Sequence, residues 1–292
     1  MKPAPFEYYR AGSLDEAVGL LIQHGPEARI LSGGQSLLPL MKLRLARPSA
    51  LVDLGRVREL DYVREADGRL AFGAMARLDV LESDVVRSRC PLLAEAARHI
   101  GHPAIRHRGT VCGSLAHADP AAELPVLALA LDAEVVATGR DGPRVIPAAD
   151  FFVTMFSTRL EPGEILSEAR FPAISPAVGW GFVELSRRPG DFAIAIAAAV
   201  LEMRPDGRIG KARIALGAVA ERAIRCQDAE AVLLDQRPGP PAFQSAAEAA
   251  AAPLDPPSDV HGSSGYRRHL ANVLVRRALV QAWERIGGQH RA

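Results

Sequence analysis

Two adjacent glycines set between a strand pattern and a helix start constrain this chain more than any other feature. Arg29-Ile30-Leu31 reads as a short strand, Ser32-Gly33-Gly34-Gln35-Ser36 as a turn, and Leu37 to Leu45 as a helical turn or short helix that stops before Pro48. Adjacent glycines permit a positive φ and a close approach of backbone, so successive N–H groups can converge on a phosphate at the start of the following helix. The segment is neither a Walker P-loop, lacking the Gly-Lys-Ser/Thr ending, nor a G-x-G-x-x-G fingerprint. A nest of backbone amides needs no basic patch. The chain has little charge to spare for one: 35 Lys and Arg against 34 Asp and Glu give a net +1, which argues against a general nucleic-acid binder.

A second segment, Gly109-Thr110-Val111-Cys112-Gly113-Ser114-Leu115-Ala116-His117-Ala118-Asp119-Pro120-Ala121-Ala122-Glu123-Leu124-Pro125, has the same character. From Ile105 to Glu123 strong helix formers are few and Gly, His, Thr and Ser are dense, which predicts a long irregular loop of the kind that carries function. Asp119 as N-cap and Pro120 at the first helical position predict a helix through Leu131. Thr110, Gly113 and Ser114 offer donors to a bulky polar ligand, and Asp119 and Glu123 are available for ribose hydroxyls or as caps. His117 beside Asp119 reads as a hydrogen-bonded structural pair, since neither zinc spacing nor a nucleophile elbow accompanies it. Two phosphate-competent loops in one domain suggest a dinucleotide held between two subdomains.

Ser13-Leu14-Asp15-Glu16 is a capping box for a helix over Leu14 to Gln23. Short strands are predicted at Leu51 to Leu54 and Arg69 to Gly73, helices at Leu78 to Leu81 and Leu92 to Ile100, and a hairpin from Glu134 to Ile146 turning at Asp141-Gly142-Pro143. Strand alternation resumes at Gly179, and two long runs, Phe192 to Met203 and Arg208 to Ala220, flank a hairpin turn at Pro205-Asp206-Gly207. Ala223 to Leu234, Ala242 to Ala252 and a segment carrying Leu270, Val273, Leu274, Val280 and Trp283 read as helices. The texture changes around Phe171-Pro172, placing a domain boundary near residue 175. Cys90, Cys112 and Cys226, odd in number and far apart, cannot frame disulfides, a four-cysteine zinc site or an iron–sulfur cluster, so a reducing cytoplasm is expected. The N-terminal MKPAPFEYYR lacks an apolar signal region, and the longest apolar run, Leu124 to Leu131, falls well short of the roughly 20 residues of a membrane span.

The two glycine segments, together with Glu164-Ile165-Leu166, Arg187-Arg188-Pro189-Gly190-Asp191-Phe192-Ala193 and Tyr266-Arg267-Arg268-His269-Leu270, resemble the FAD-binding medium subunit of molybdenum hydroxylases, the carbon monoxide dehydrogenase and xanthine dehydrogenase family. The resemblance runs through the whole chain in order. It implies an α+β protein: a two-subdomain FAD-binding domain of the vanillyl-alcohol oxidase type over residues 1–175, split near 55–60, then a smaller sheet-plus-helices domain over 176–292. It implies FAD with its pyrophosphate on Ser32, Gly33, Gly34, Gln35, Ser36 and Leu37. Ile100, Gly101, Thr110, Gly113, Ser114 and His117 would contact the other side of the nucleotide, with Asp119 close by. Glu123 stands where relatives place an acidic residue near the cofactor, Leu166 where they place a backbone and apolar contact, and Phe192 either covers the flavin ring or is a buried strand aromatic. Two positions depart from the family pattern: Cys112 replaces the first glycine of the usual loop, where a positive φ or close approach is expected, and Glu184 replaces a lysine.

What the resemblance implies is electron transfer. The chemistry would occur at a molybdopterin in a large subunit, two [2Fe–2S] clusters in a small subunit would relay electrons, and this chain would deliver them to NAD, a quinone, a cytochrome or oxygen, within a dimer of heterotrimers. Three cysteines cannot supply those clusters, so partners must. A stand-alone FAD oxidase or reductase of the same fold, and a non-catalytic nucleotide-binding assembly subunit, are the alternatives.

Overall fold

The computed structural model describes residues 2–289; Met1 and residues 290–292, which end the two expected domain spans, lie outside it. Strands β1 (Glu7–Arg10), β2 (Ala28–Leu31) and β3 (Ala50–Asp53) form a parallel sheet in the order β1-β3-β2. Helix α1 (Leu14–His24) connects β1 to β2 and buries Ala17, Val18 and Leu21. Ser13 Oγ accepts from the Glu16 N–H at 3.2 Å, but the Glu16 carboxylate takes the N–H of Gly12 rather than that of the cap residue. Helix α2 (Leu37–Lys42) links β2 to β3 and ends three residues before the expected Leu45.

The second sheet is antiparallel, in the order β4-β5-β10-β6-β7. Its strands are β4 (Val63–Ala66), β5 (Arg69–Gly73), β6 (Glu134–Gly139), β7 (Gly142–Pro147) and β10 (Ile165–Pro172), with a small pair, β8 (Phe152–Thr154) and β9 (Ser157–Thr158), preceding β10. Between β5 and β6 run α3 (Asp84–Arg89), α4 (Pro91–Ala96), α5 (Pro103–Arg106), α6 (Val111–His117) and α7 (Glu123–Ala130); α8 (Ala148–Phe151) follows β7. The third sheet is β11 (Gly179–Ser186), β12 (Ala193–Met203), β13 (Ile209–Gly217) and β14 (Ile224–Arg225), antiparallel in chain order. Packed on it are α9 (Gln227–Leu233), α10 (Pro240–Ala251) and α11 (Ser264–Gln289). Along β12, Ile196, Ala198 and Val200 join the core that includes α7, while Ala195, Ala197, Ala199 and Leu201 join the core under α10 and α11. Period two thus places one strand between two hydrophobic layers.

Several expectations need correction. The segment from Ile105 to Glu123 is not an irregular loop: α6 lies inside it, because Thr110 Oγ1 accepts from the Gly113 N–H at 3.1 Å and Val111, Cys112 and Leu115 bury one face. Helix α7 begins at Glu123, not after Asp119, because Asp119 Oδ1 accepts from the Ala121 N–H at 2.9 Å and closes a turn of its own. Helix α4 stops at Ala96, short of Ile100, and the helix expected from Ala223 starts at Gln227 because Ile224 and Arg225 pair with β13 as β14. The β6–β7 turn is Arg140-Asp141, one residue earlier than expected, with Gly139 and Gly142 paired across it.

Candidate functional site

The β2–α2 turn, the α6–α7 segment, Ile100 and Gly101, strand β10 and the loop before β12 surround one cleft of about 920 Å³. All sixteen residues singled out in the sequence line it: Ser32 to Leu37, Ile100, Gly101, Thr110, Gly113, Ser114, His117, Asp119, Glu123, Leu166 and Phe192. At its floor the two glycine segments touch backbone to backbone. A Cβ on Gly33 would lie 2.3 Å from the Arg108 carbonyl oxygen and 2.6 Å from Gly109 Cα, while Gly34 holds φ at +71°. The first glycine answers a close approach and the second a left-handed turn.

This arrangement leaves donors free. Among the described residues, none of the N–H groups from Gly33 to Leu37 donates to a protein acceptor. They stand at the start of α2, where an anionic group would satisfy them. Ser32 Oγ lies 3.0 Å from Thr110 Oγ1, tying the two segments together. The second segment is anchored from behind, with the Leu78 N–H donating to Gly109 O at 2.9 Å and the Val111 N–H to Ala76 O at 3.0 Å. Arg106 fixes the Ile100–Gly101 corner by donating to both carbonyls, at 3.2 and 3.0 Å, while its Nε bonds Glu82 at 2.8 Å. Cys112 needs no glycine conformation: it lies inside α6, 2% exposed, with its thiol 3.5 Å from the Phe72 carbonyl oxygen, and its φ is not positive.

The charged groups are arranged sparsely. Arg29 is the one arginine lining the cleft among the described residues, and Glu164 is neutralised by Arg144 at 2.6 and 2.7 Å, so the free donors of the cleft are chiefly amides. His117 and Asp119 do not form the expected pair. The His117 ring packs on Phe156, centroids 4.9 Å apart, and burial lowers its pKa, with Asp119 opposing. The imidazole is therefore neutral near pH 7. Glu123 opens α7 and is 7% exposed, and burial pushes its carboxyl up to about 7. Phe192 is 74% exposed at the mouth of the cleft, so it is neither buried nor in a strand.

Sequence reasoning passed over Phe156, His102 and Leu160, which also line the cleft. Phe156 takes φ +56°, rare for an aromatic, and its N–H donates to Ala118 O at 3.2 Å. No local pattern announces it. Gly190 packs on His102, since a Cβ there would lie 2.8 Å from the ring.

An amide nest meeting a second glycine segment, with an apolar wall and an exposed aromatic at the rim, defines a dinucleotide-cofactor carrier. Residues 4–174 match the family model described as the FAD binding domain in molybdopterin dehydrogenase, and residues 180–282 that of the CO dehydrogenase flavoprotein C-terminal domain. The chain is 43% identical to the 6-hydroxypseudooxynicotine dehydrogenase complex subunit alpha of Paenarthrobacter nicotinovorans, covering 98% of this chain and 97% of that one. It is 42% identical to the carbon monoxide dehydrogenase medium chain of Hydrogenophaga pseudoflava, over 98% and 99% of the two chains. Among solved structures, quinoline 2-oxidoreductase from Pseudomonas putida 86 superposes with a TM-score of 0.92 at 40% identity, over 98% and 99%. The chain belongs to the family of FAD-binding medium subunits of molybdenum hydroxylases, with the α+β architecture of that family. No helix among the described residues is long and apolar enough to cross a membrane.

Proposed function

We propose that the chain holds FAD between its two glycine segments and passes electrons from an iron–sulfur centre of a partner subunit to an external acceptor. The observation that carries this reading is the set of unpaired N–H groups from Gly33 to Leu37 facing a cleft large enough for a dinucleotide. When bound, the flavin supplies the two-electron chemistry; this chain supplies its setting. Gly33, Gly34, Gln35, Ser36 and Leu37 would take the pyrophosphate, with Ser32 bridging to Thr110. Ile100, Gly101, Gly113, Ser114 and His117 would hold the other side of the nucleotide, and Asp119 the ribose. Glu123 would meet the polar edge of the ring and Leu166 its apolar face. Exposed Phe192, beside Phe156, would cover the ring where the acceptor approaches.

Three relatives of nearly equal identity are named for carbon monoxide, quinoline and 6-hydroxypseudooxynicotine, which are chemically unlike. The substrate is accordingly read by a large molybdopterin subunit, with a small subunit carrying two [2Fe–2S] clusters and the whole a dimer of heterotrimers. Three free buried thiols suit the reducing cytoplasm. Residues 1–175, divided near 55–60, would form the FAD domain and 176–292 the second domain, the three larger sheets falling one to each part.

The test is to purify the complex and measure FAD released on denaturation, then titrate the isolated chain with FAD. One flavin per copy of this chain is expected. A colourless chain that takes up no FAD, or turnover of an organic substrate by the isolated chain, overturns the reading.

A further inference from the structure

We propose that Glu123 and Glu184 act as one proton-holding pair behind the flavin site, taking up a proton from water when the flavin is reduced. The inference rests on the FAD reading above and concerns two residues of this chain. Glu123, at the first turn of α7, lines the cleft. Glu184 comes from β11 on the same strand face as Phe182, and its row across the sheet runs Glu184, Ile196, Gly217. Gly217 in turn abuts the segment that opens α7, its Cβ position lying 3.3 Å from Pro120 O and 2.5 Å from Val126. The Glu184 side chain is 1% exposed, and neither of its oxygens has a hydrogen-bond partner among the described residues.

Among the described residues no lysine or arginine pairs with either carboxyl. His99, at the end of the α4 segment, places Nδ1 3.9 Å from Glu184, but its ring packs on Phe182 and burial lowers its pKa, so it is neutral near pH 7. Glu95 of α4 is taken by Arg285 of α11, at 3.0 and 2.8 Å. Asp119 adds negative charge near Glu123, and the Ser186 hydroxyl of β11 donates to Arg188 O at 3.0 Å and not to Glu184. Two carboxyls in one apolar wall cannot both ionise cheaply, so the pair retains a proton near neutrality. Consistent with that geometry, burial and the neighbouring Glu123 push Glu184 up to about 8.

The balance is simple. Two electrons delivered one at a time by the partner's clusters, with one proton from water, would leave a bound flavin one unit more negative. The pair answers that charge by binding a second proton from water on a carboxylate oxygen; no bond to the flavin forms. On reoxidation both electrons leave to the acceptor and both protons return to water. The charge beside the acceptor site is then the same in both redox states.

The experiment measures the flavin midpoint potential in the intact complex from about pH 6 to about pH 9. In the wild type the potential should fall twice as steeply where the pair titrates as elsewhere, two protons per two electrons instead of one. Glu184→Gln leaves Glu123, held at about 7, as the one remaining carboxyl, so the steep region should narrow and move to lower pH with FAD content unchanged. Reduced-minus-oxidised infrared spectra of the wild type near pH 8 should gain a protonated-carboxyl band that is weaker in Glu184→Gln. A single slope in the wild type, no carboxyl band, or a steep region as wide and as high in pH in Glu184→Gln as in the wild type overturns the proposal. A wild-type complex without FAD overturns the cofactor reading instead.

Discussion

Gly33 and Gly34 are glycine for different reasons, and substitution separates them. At Gly33 the obstacle is backbone: alanine must push the Arg108 and Gly109 backbone away from the β2–α2 turn, an overpacking cost of about 1–3 kcal/mol. Because that contact sets the spacing of the two segments, FAD affinity in Gly33→Ala should fall by tenfold or more, about 1.4 kcal/mol. At Gly34 the obstacle is φ +71°, costing about 1–2 kcal/mol, and the nearest atom is the flexible end of Leu38 at 2.9 Å. Gly34→Ala should therefore lower the melting temperature with a smaller loss of affinity; equal affinity losses in the two variants would contradict this division. Glu184 predicts a pH effect on stability. Its folded pKa is raised from 4.5 to about 8, so the folded chain binds a proton that the unfolded chain releases. Stability present below pH 4.5 is lost as pH rises through 8, up to roughly 5 kcal/mol. Urea midpoints of Glu184→Gln should be flatter between those limits; parallel profiles would deny the burial its role.

Helix α6 shows how an element can be spelled by tertiary contacts. Its composition, Val-Cys-Gly-Ser-Leu-Ala-His, has two poor helix formers in its first turn, and propensity alone leaves it a loop. Two signals were present in the sequence: Thr110 three residues before Gly113, which caps, and Val111, Cys112 and Leu115 at helical spacing, which bury. Thr110→Ala should cost about 1 kcal/mol of stability and also release Ser32, weakening FAD binding. Thr110→Ser, which keeps the oxygen, should restore both, as melting curves and fluorescence titration would report. Other elements were plain: the strand, glycine turn and helix at residues 28–42 follow from local chemistry, as does the β12–β13 hairpin, where Gly207 takes φ +78° and Asp206 accepts from the Arg208 N–H at 3.0 Å. Strand β10 carries no strand signal in the sequence, although it lies at the centre of its sheet. Buried on both sides from Ile165 to Ala169, including Ser167 and Glu168, it shows no alternation to read. The two glycine segments were legible because backbone chemistry demands glycine and small hydroxyls there, whereas Ile100, Gly101, Leu166 and Phe192 followed only from the family resemblance. Phe156 and the Glu123–Glu184 relation were not, since they depend on which elements the fold brings together.

At the scale of the whole molecule, the second core must hold the first in register, and Arg267 of α11 does so from inside. Only 5% exposed, it donates to Ile194 O at 2.7 Å, to Ala218 O at 2.8 Å and to Asp259 at 2.7 Å. Ala218 then donates its N–H to Pro120 O at 2.7 Å, in the segment that carries Asp119 and leads to Glu123. Ile194 lies two residues beyond Phe192. One guanidinium thus braces both the α7 entrance and the rim of the cleft. Arg267→Ala leaves the buried Ile194 and Ala218 carbonyls without a donor, a loss of about 1–3 kcal/mol each, while half-exposed Asp259 returns to water. Lysine cannot reproduce the planar fork, so Arg267→Lys should recover only part. Arg285 offers the control: it also joins α11 to the first core, through Glu95 and over the Trp180 ring at 3.4 Å, but that pair is about one-third exposed and worth about 0–1 kcal/mol. Arg285→Ala should shift the melting temperature slightly and leave FAD affinity unchanged. In Arg267→Ala, at a temperature where the variant is still folded, FAD affinity should drop several-fold and the bound flavin should become more accessible to a collisional quencher. If both variants lose affinity equally, the brace runs through general contact between the two cores and not through Ala218 and Pro120.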